Sequence, residues 1–133
     1  MAEAVLDSSA IMAVIRAERG VEAAAEAMPQ ALVSVVNEAE VIGVLIRYGS
    51  TPEGALNLVL NLPYRRIDLD AGLARRAGML WRDLRPRGLS LGDRCCLALA
   101  ERERLPVLTT DQRWVELPLD VEVRLLRSRE VAQ

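Results

Sequence analysis

Four places in the chain set a carboxylate where a short apolar run meets a helical pattern. Asp7 follows "AVL", an acid at Glu38 or Glu40 follows "SVV", Asp93 follows "LSLG", and Asp111 follows "VLTT". Carboxylates gathered in one place either move protons or hold a cation. The rest of the composition favours the cation. There is no histidine, which removes the commonest general base, the usual zinc ligand and every nucleophile that depends on an imidazole. All 17 basic residues are arginines, so Schiff-base chemistry and the phosphate-binding P-loop, which need lysine, are excluded. Oxygen ligands without histidine point to a hard divalent ion, Mg2+ or Mn2+.

Those acids act together only if the fold brings them together. Apolar periodicity predicts a first strand ending at Val5 and Leu6 and helices over residues 8–16 and 21–27. A β-branched strand over 31–36 precedes a helix over 37–48 that closes at Gly49. Thr51 and Pro52 open a further helix that stops before Pro63, and "RRIDL" reads as a short edge strand. Leu73, Ala77, Leu80, Trp81 and Leu84 share helical spacing in one helix, and "LSLGDRCCLALAERE" forms the next. Strands at 106–108 and in "VEVRLL" complete the order. Short apolar strands alternating with longer helices predict a three-layer α/β/α sandwich with a mainly parallel central sheet, a single domain over all 133 residues. In such a fold, helices that follow or feed a strand begin at the carboxyl edge of the sheet, where ligands bind. All four acids therefore belong to one edge.

Each acid taken singly has a local explanation. Acids cap helices and favour their first turns, and "NEAE" and "SLGD" both resemble capping boxes. Periodicity leaves Glu38 and Glu40 equivalent. The case for a cation rests on the set: four carboxylates at one edge repel unless something neutralises them.

Four stretches, "VLDSSAI", "SVVNEAEVIGVL", "LSLGDRCCLALA" and "VLTTDQRW", resemble the four acidic motifs of the PIN domain. They are most similar to the VapC-type toxins of toxin–antitoxin pairs, and the likeness runs in order from residue 5 to about 114. The resemblance implies a metal-dependent endoribonuclease. It selects Glu40 over Glu38 and makes Asp7, Glu40, Asp93 and Asp111 the catalytic acids, with Asp7, Asp93 and Asp111 on the Mg2+ or Mn2+ ion. Ser8 or Ser9 and Thr109 or Thr110 match the hydroxyl positions that support those acids. Many relatives carry further acids after the last motif; Gln112 and Arg113 stand there in this chain, which implies that a second metal ion is poorly held. Relatives are commonly homodimers paired with a small antitoxin protein, so both partners are expected.

The remaining readings concern partners. Net charge is −2, so RNA must meet a local patch, and Arg85, Arg87 and Arg94 are the candidates nearest the site. Arginine suits phosphate because its planar fork bonds two oxygens at once. Trp81 and Trp114 offer rings for base stacking, although Trp81 falls on the apolar stripe and reads as core. The Val41–Tyr48 helix is apolar nearly all round from Val41 to Ile46, more than one sheet face requires, and is the expected homodimer surface. Adjacent Cys95 and Cys96 point apart on their helix and read as core residues. No apolar stretch approaches the roughly 20 residues of a membrane span, and acids replace the basic start of a signal peptide, so a cytoplasmic protein is expected. A phosphatase of the haloacid dehalogenase type is excluded, since it wants a second Asp where Ser9 stands and a lysine that is absent. The alternative that survives is a non-catalytic PIN-like binding module.

Overall fold

A computed structural model describes residues 1–126. Five strands, β1 (Ala4–Leu6), β2 (Ala31–Ser34), β3 (Arg65–Ile67), β4 (Val107–Thr109) and β5 (Val123–Leu125), form one sheet in the order β3-β2-β1-β4-β5. Every neighbouring pair is parallel, so the sheet is wholly parallel. β1 is central: the chain builds β2 and β3 on one side of it, then crosses to build β4 and β5 on the other. The carboxyl end of β1 is thus the point where the winding reverses, and a crevice opens there in folds of this kind.

Strand residues alternate between two cores. Ala4, Leu6, Ala31, Val33 and Leu108 pack beneath α1 (Ser8–Ile15), α2 (Glu22–Ala27), α3 (Val35–Arg47) and α4 (Pro52–Leu60). Val5, Leu32 and Val107 pack on the opposite face with α5 (Ala71–Met79), α6 (Trp81–Leu84) and α7 (Leu91–Glu103). Buried on both faces, such strands read as continuous apolar runs. Cys95 and Cys96 are free thiols buried in the second core. Among the described residues no helix is long and apolar enough to cross a membrane.

Three expectations are corrected. The strand at 31–36 ends at Ser34, because the Ser34 hydroxyl caps α3 by accepting from the Val36 amide. The helix therefore starts two residues earlier than predicted, "NEAE" is not a capping box, and Glu40 lies in the second turn. The helix over 70–84 is two helices that meet at Leu80. There the buried stripe narrows to Leu73, Ala77, Leu80 and Leu84, and Trp81 falls beside it with 48% of its surface exposed. Trp114, expected to offer a ring for base stacking, is instead fully buried in the second core.

Candidate active site

Asp7 leaves β1 directly into α1 and caps it, its carboxylate accepting from the Ala10 amide at 2.8 Å. It is also 3% exposed, which no surface cap is. Ser9 donates to both its oxygens at 2.7 and 2.9 Å, and Thr109, at the end of the adjacent β4, donates at 2.6 Å. Burial outweighs these bonds. It pushes the Asp7 carboxyl up to about 6, with the charge of Asp93 acting in the same direction. Thr110 adds its backbone amide, which donates to Ser9 Oγ at 3.0 Å. The two serines thus serve different acids: Ser9 supports Asp7, and Ser8 donates to Glu40 Oε1 at 2.5 Å.

Glu40 has a second support absent from the sequence expectations. Asn37, one turn earlier on the same face of α3, is fully buried. Its Nδ2 donates to Glu40 Oε1 at 2.9 Å and to the Gly92 carbonyl at 3.2 Å. Its Oδ1 is buried with no hydrogen-bond partner among the described residues, an oxygen left over beside the acids. Gly92 is the other surprise: a Cβ there would overlap the Glu40 carboxylate. The spacing of Asn37 and Glu40 was a signal for the first; nothing local marks Gly92. Glu38 points elsewhere, accepting from Tyr64 Oη at 2.5 Å and Arg66 Nε at 2.7 Å.

Asp93 sits in the first turn of α7 and forms a true capping box with Ser90. Burial raises its carboxyl pKa, the Glu40 charge adds to that, and Arg113 acts against it. Asp111 caps the short turn Gln112–Trp114 by accepting from the Arg113 amide at 2.9 Å. The Arg113 guanidinium holds its carboxyl below the usual range. Capping is therefore real for Asp7, Asp93 and Asp111, but Asp7 and Asp93 are also pushed upward by burial, as caps in open water are not.

Asp93 lies within electrostatic reach of both Asp7 and Glu40, and burial raises the Cys96 thiol with the charges of all three acids acting in the same direction. Among the described residues, however, no three acids already form a group that could grip an ion. Asp111 is engaged by Arg113 instead. Chemically the donors suit a hard cation: carboxylate oxygens, a spare buried amide oxygen and clustered negative charge that is costly without a counter-ion.

The arginines separate. Arg85 lies with its guanidinium 4.7 Å from the centre of the exposed Trp81 ring. Arg87 donates to the carbonyls of Val115 and Glu116, both at 2.7 Å, and Arg94 donates to the Ala77 carbonyl at 2.9 Å. Arg87 and Arg94 thus have structural duties first.

The sequence pattern of the PIN domain matches residues 4–119. The chain is similar in structure to a toxin–antitoxin complex from Klebsiella pneumoniae, with TM-score 0.69 and 22% identity over 90% of this chain and 99% of that one. A DNA-bound VapBC from Salmonella typhimurium is similar with TM-score 0.71 and 19% identity, covering 93% and 98% of the two chains. A sarcin–ricin-loop-cleaving VapC toxin from Mycobacterium tuberculosis is similar with TM-score 0.70 and 16% identity, covering 90% and 99%. No curated protein matches the sequence.

Proposed function

The chain belongs to the PIN-domain family, and we propose that it is a metal-dependent endoribonuclease of the VapC type, the toxin of a toxin–antitoxin pair. The observation that carries this reading is Asp7: a carboxylate buried at the reversal point of the sheet, with Asp93 in its field and Glu40 in turn in the field of Asp93. Asp7, Asp93 and Asp111 would hold Mg2+ or Mn2+. Held there, the ion supplies charge neutralisation at a phosphate and acidifies a water.

The protein's own residues do the positioning. Ser9 and Thr109 orient the Asp7 oxygens, while Ser8 and Asn37 set the Glu40 carboxylate as a ligand or as the group that aims the attacking water. With no histidine to activate a 2′-hydroxyl, water is the nucleophile, and cleavage should leave a 5′-phosphate and a 3′-hydroxyl. Incubation of RNA with the protein in Mg2+ or EDTA, followed by end-group analysis, tests this. Undiminished cleavage in EDTA, or cyclic phosphate ends, would remove the mechanism.

Arg85 and Trp81 form the exposed cation and ring available to a phosphate and a base. Arg85→Ala should weaken RNA binding and make its salt dependence shallower, by a slope of about 0.7 for a lost phosphate contact on a single strand. An unchanged slope places Arg85 off the RNA path.

Similar structures are toxin–antitoxin complexes, and an antitoxin protein is the expected partner here. Homodimerisation through α3 fits its surface: Ile46 on α3 and Tyr48 at its C-cap are exposed, as are Leu56 and Leu60 on the neighbouring α4. Gly43 faces open space in mid-helix, a choice that costs about 1 kcal/mol unless another backbone approaches closely. Val44 and Leu45, by contrast, pack against the core. Ile46→Glu should therefore convert a dimer to a folded monomer in sedimentation or light scattering. A folded, fully dimeric variant counts against this surface.

A further inference from the structure

Arg113 is the one guanidinium turned onto the proposed site among the described residues, half exposed there but held by several contacts. Its Nε and Nη2 reach Asp111, at 3.0 Å to Oδ1 and 2.5 Å to Oδ2, while Nη2 also stands 3.9 Å from Asp93 Oδ2. Its Nη1 donates to the Gly88 carbonyl at 2.8 Å. Gly88 adopts φ +73°, and a Cβ there would come within 3.1 Å of that same Nη1, so glycine both makes the turn and clears space for the guanidinium. Arg87, next in the chain, ties the same turn to the carbonyls of Val115 and Glu116. Beneath, the buried Trp114 anchors the segment that carries Asp111 and Arg113. A surface arginine held only by chance would have none of this scaffolding.

Charge shows what the arrangement accomplishes. Asp7, Glu40, Asp93 and Asp111 bring four negative charges, of which one divalent ion and one guanidinium offset three. Two divalent ions would by themselves offset all four, so a second ion leaves no charge for Arg113 to neutralise and would have to displace it from the Asp111 oxygens it bonds. We propose that Arg113 is the second cation of this site: its guanidinium occupies Asp111 and faces Asp93 in place of a second metal ion, so that the centre binds a single divalent ion. The proposal rests on the metal-site reading above and goes beyond it in fixing the number of ions and the residue that limits it.

Equilibrium Mn2+ binding to the RNA-free protein, followed by electron paramagnetic resonance and calorimetry, provides the test. The parent and Arg113→Lys, which keeps the charge, should each bind one Mn2+ per chain. Arg113→Gln should bind Mn2+ roughly tenfold tighter, since one competing charge at contact distance is gone. Arg113→Asp should bind two ions per chain. Two ions on the parent, or variants with unchanged stoichiometry and affinity, overturn the proposal while leaving the metal site standing. No Mn2+ on any of the four proteins overturns the proposal and the metal-site reading together. Circular dichroism of each metal-free variant separates these outcomes from misfolding.

Discussion

Gly92→Ala is expected to reduce RNA cleavage by about a hundredfold or more, the scale of misplacing a reacting group by an ångström, while the chain stays folded. Gly92 is the second residue of α7, where alanine is a better helix former than glycine by up to about 1 kcal/mol. Its Cα, however, is where the Glu40 carboxylate rests, and an added Cβ overlaps that carboxylate. Glu40 is the flexible partner, so it yields and the backbone does not. Moving away, it forfeits the bonds from Ser8 and Asn37 that aim it. The check is single-turnover cleavage beside a thermal melt in EDTA. A stable variant with parental activity would show that the observed position of Glu40 is not used in the reaction.

Asp7→Asn should have the largest combined effect, raising metal-free stability at neutral pH while abolishing cleavage. The Asp7 carboxyl is raised to about 6 from an ordinary value of 3.8. A carboxyl raised in the folded state contributes stability that is full below its unfolded pKa and lost as pH climbs through the folded one. Between pH 4 and 6 the metal-free parent should therefore lose up to about 3 kcal/mol from Asp7 alone. Asp93, also raised by burial, acts in the same direction. Asp111, lowered by Arg113, works oppositely: its contribution is present above its unfolded pKa and lost as pH falls through its depressed folded value. Asparagine keeps the cap of α1 and carries no charge to bury. In EDTA the variant should melt above the parent at pH 8, and the gap should shrink toward pH 4. Excess Mn2+ should stabilise the parent with the logarithm of its concentration over Kd and the variant far less. A variant that melts below the parent at pH 8 in EDTA would mean that the buried charge is already fully satisfied by its hydrogen bonds.

The parallel sheet and its two covered faces were legible from the chain alone, as was the position of Asp7 and Asp111 directly after strands. The reason is that they follow from local rules. A three- or four-residue apolar run followed by a cap and an amphipathic stretch leaves few topologies, and parallel winding then puts Asp7 and Asp111 at the carboxyl edge. The absence of histidine and lysine likewise determined, before any fold, that oxygen and arginine must carry the chemistry. What lay outside reach was every pairing made across the sheet or between helices. Trp81 and Trp114 exchanged the roles expected of them because periodicity gives a helical face but not how wide a stripe the opposite layer covers. Asn37 and Gly92 are unremarkable in their own helices and acquire meaning only where α3 meets α7, one filling the space behind Glu40 and the other vacating it. Arg113 reads in the sequence as a missing acid; only the turn at Gly88, folded over from 25 residues away, makes it the cation that holds Asp111. Residue types and their order are written along the chain, whereas burial and the identity of the opposing group are properties of the closed fold, where long-range packing sets the distances on which electrostatics depends.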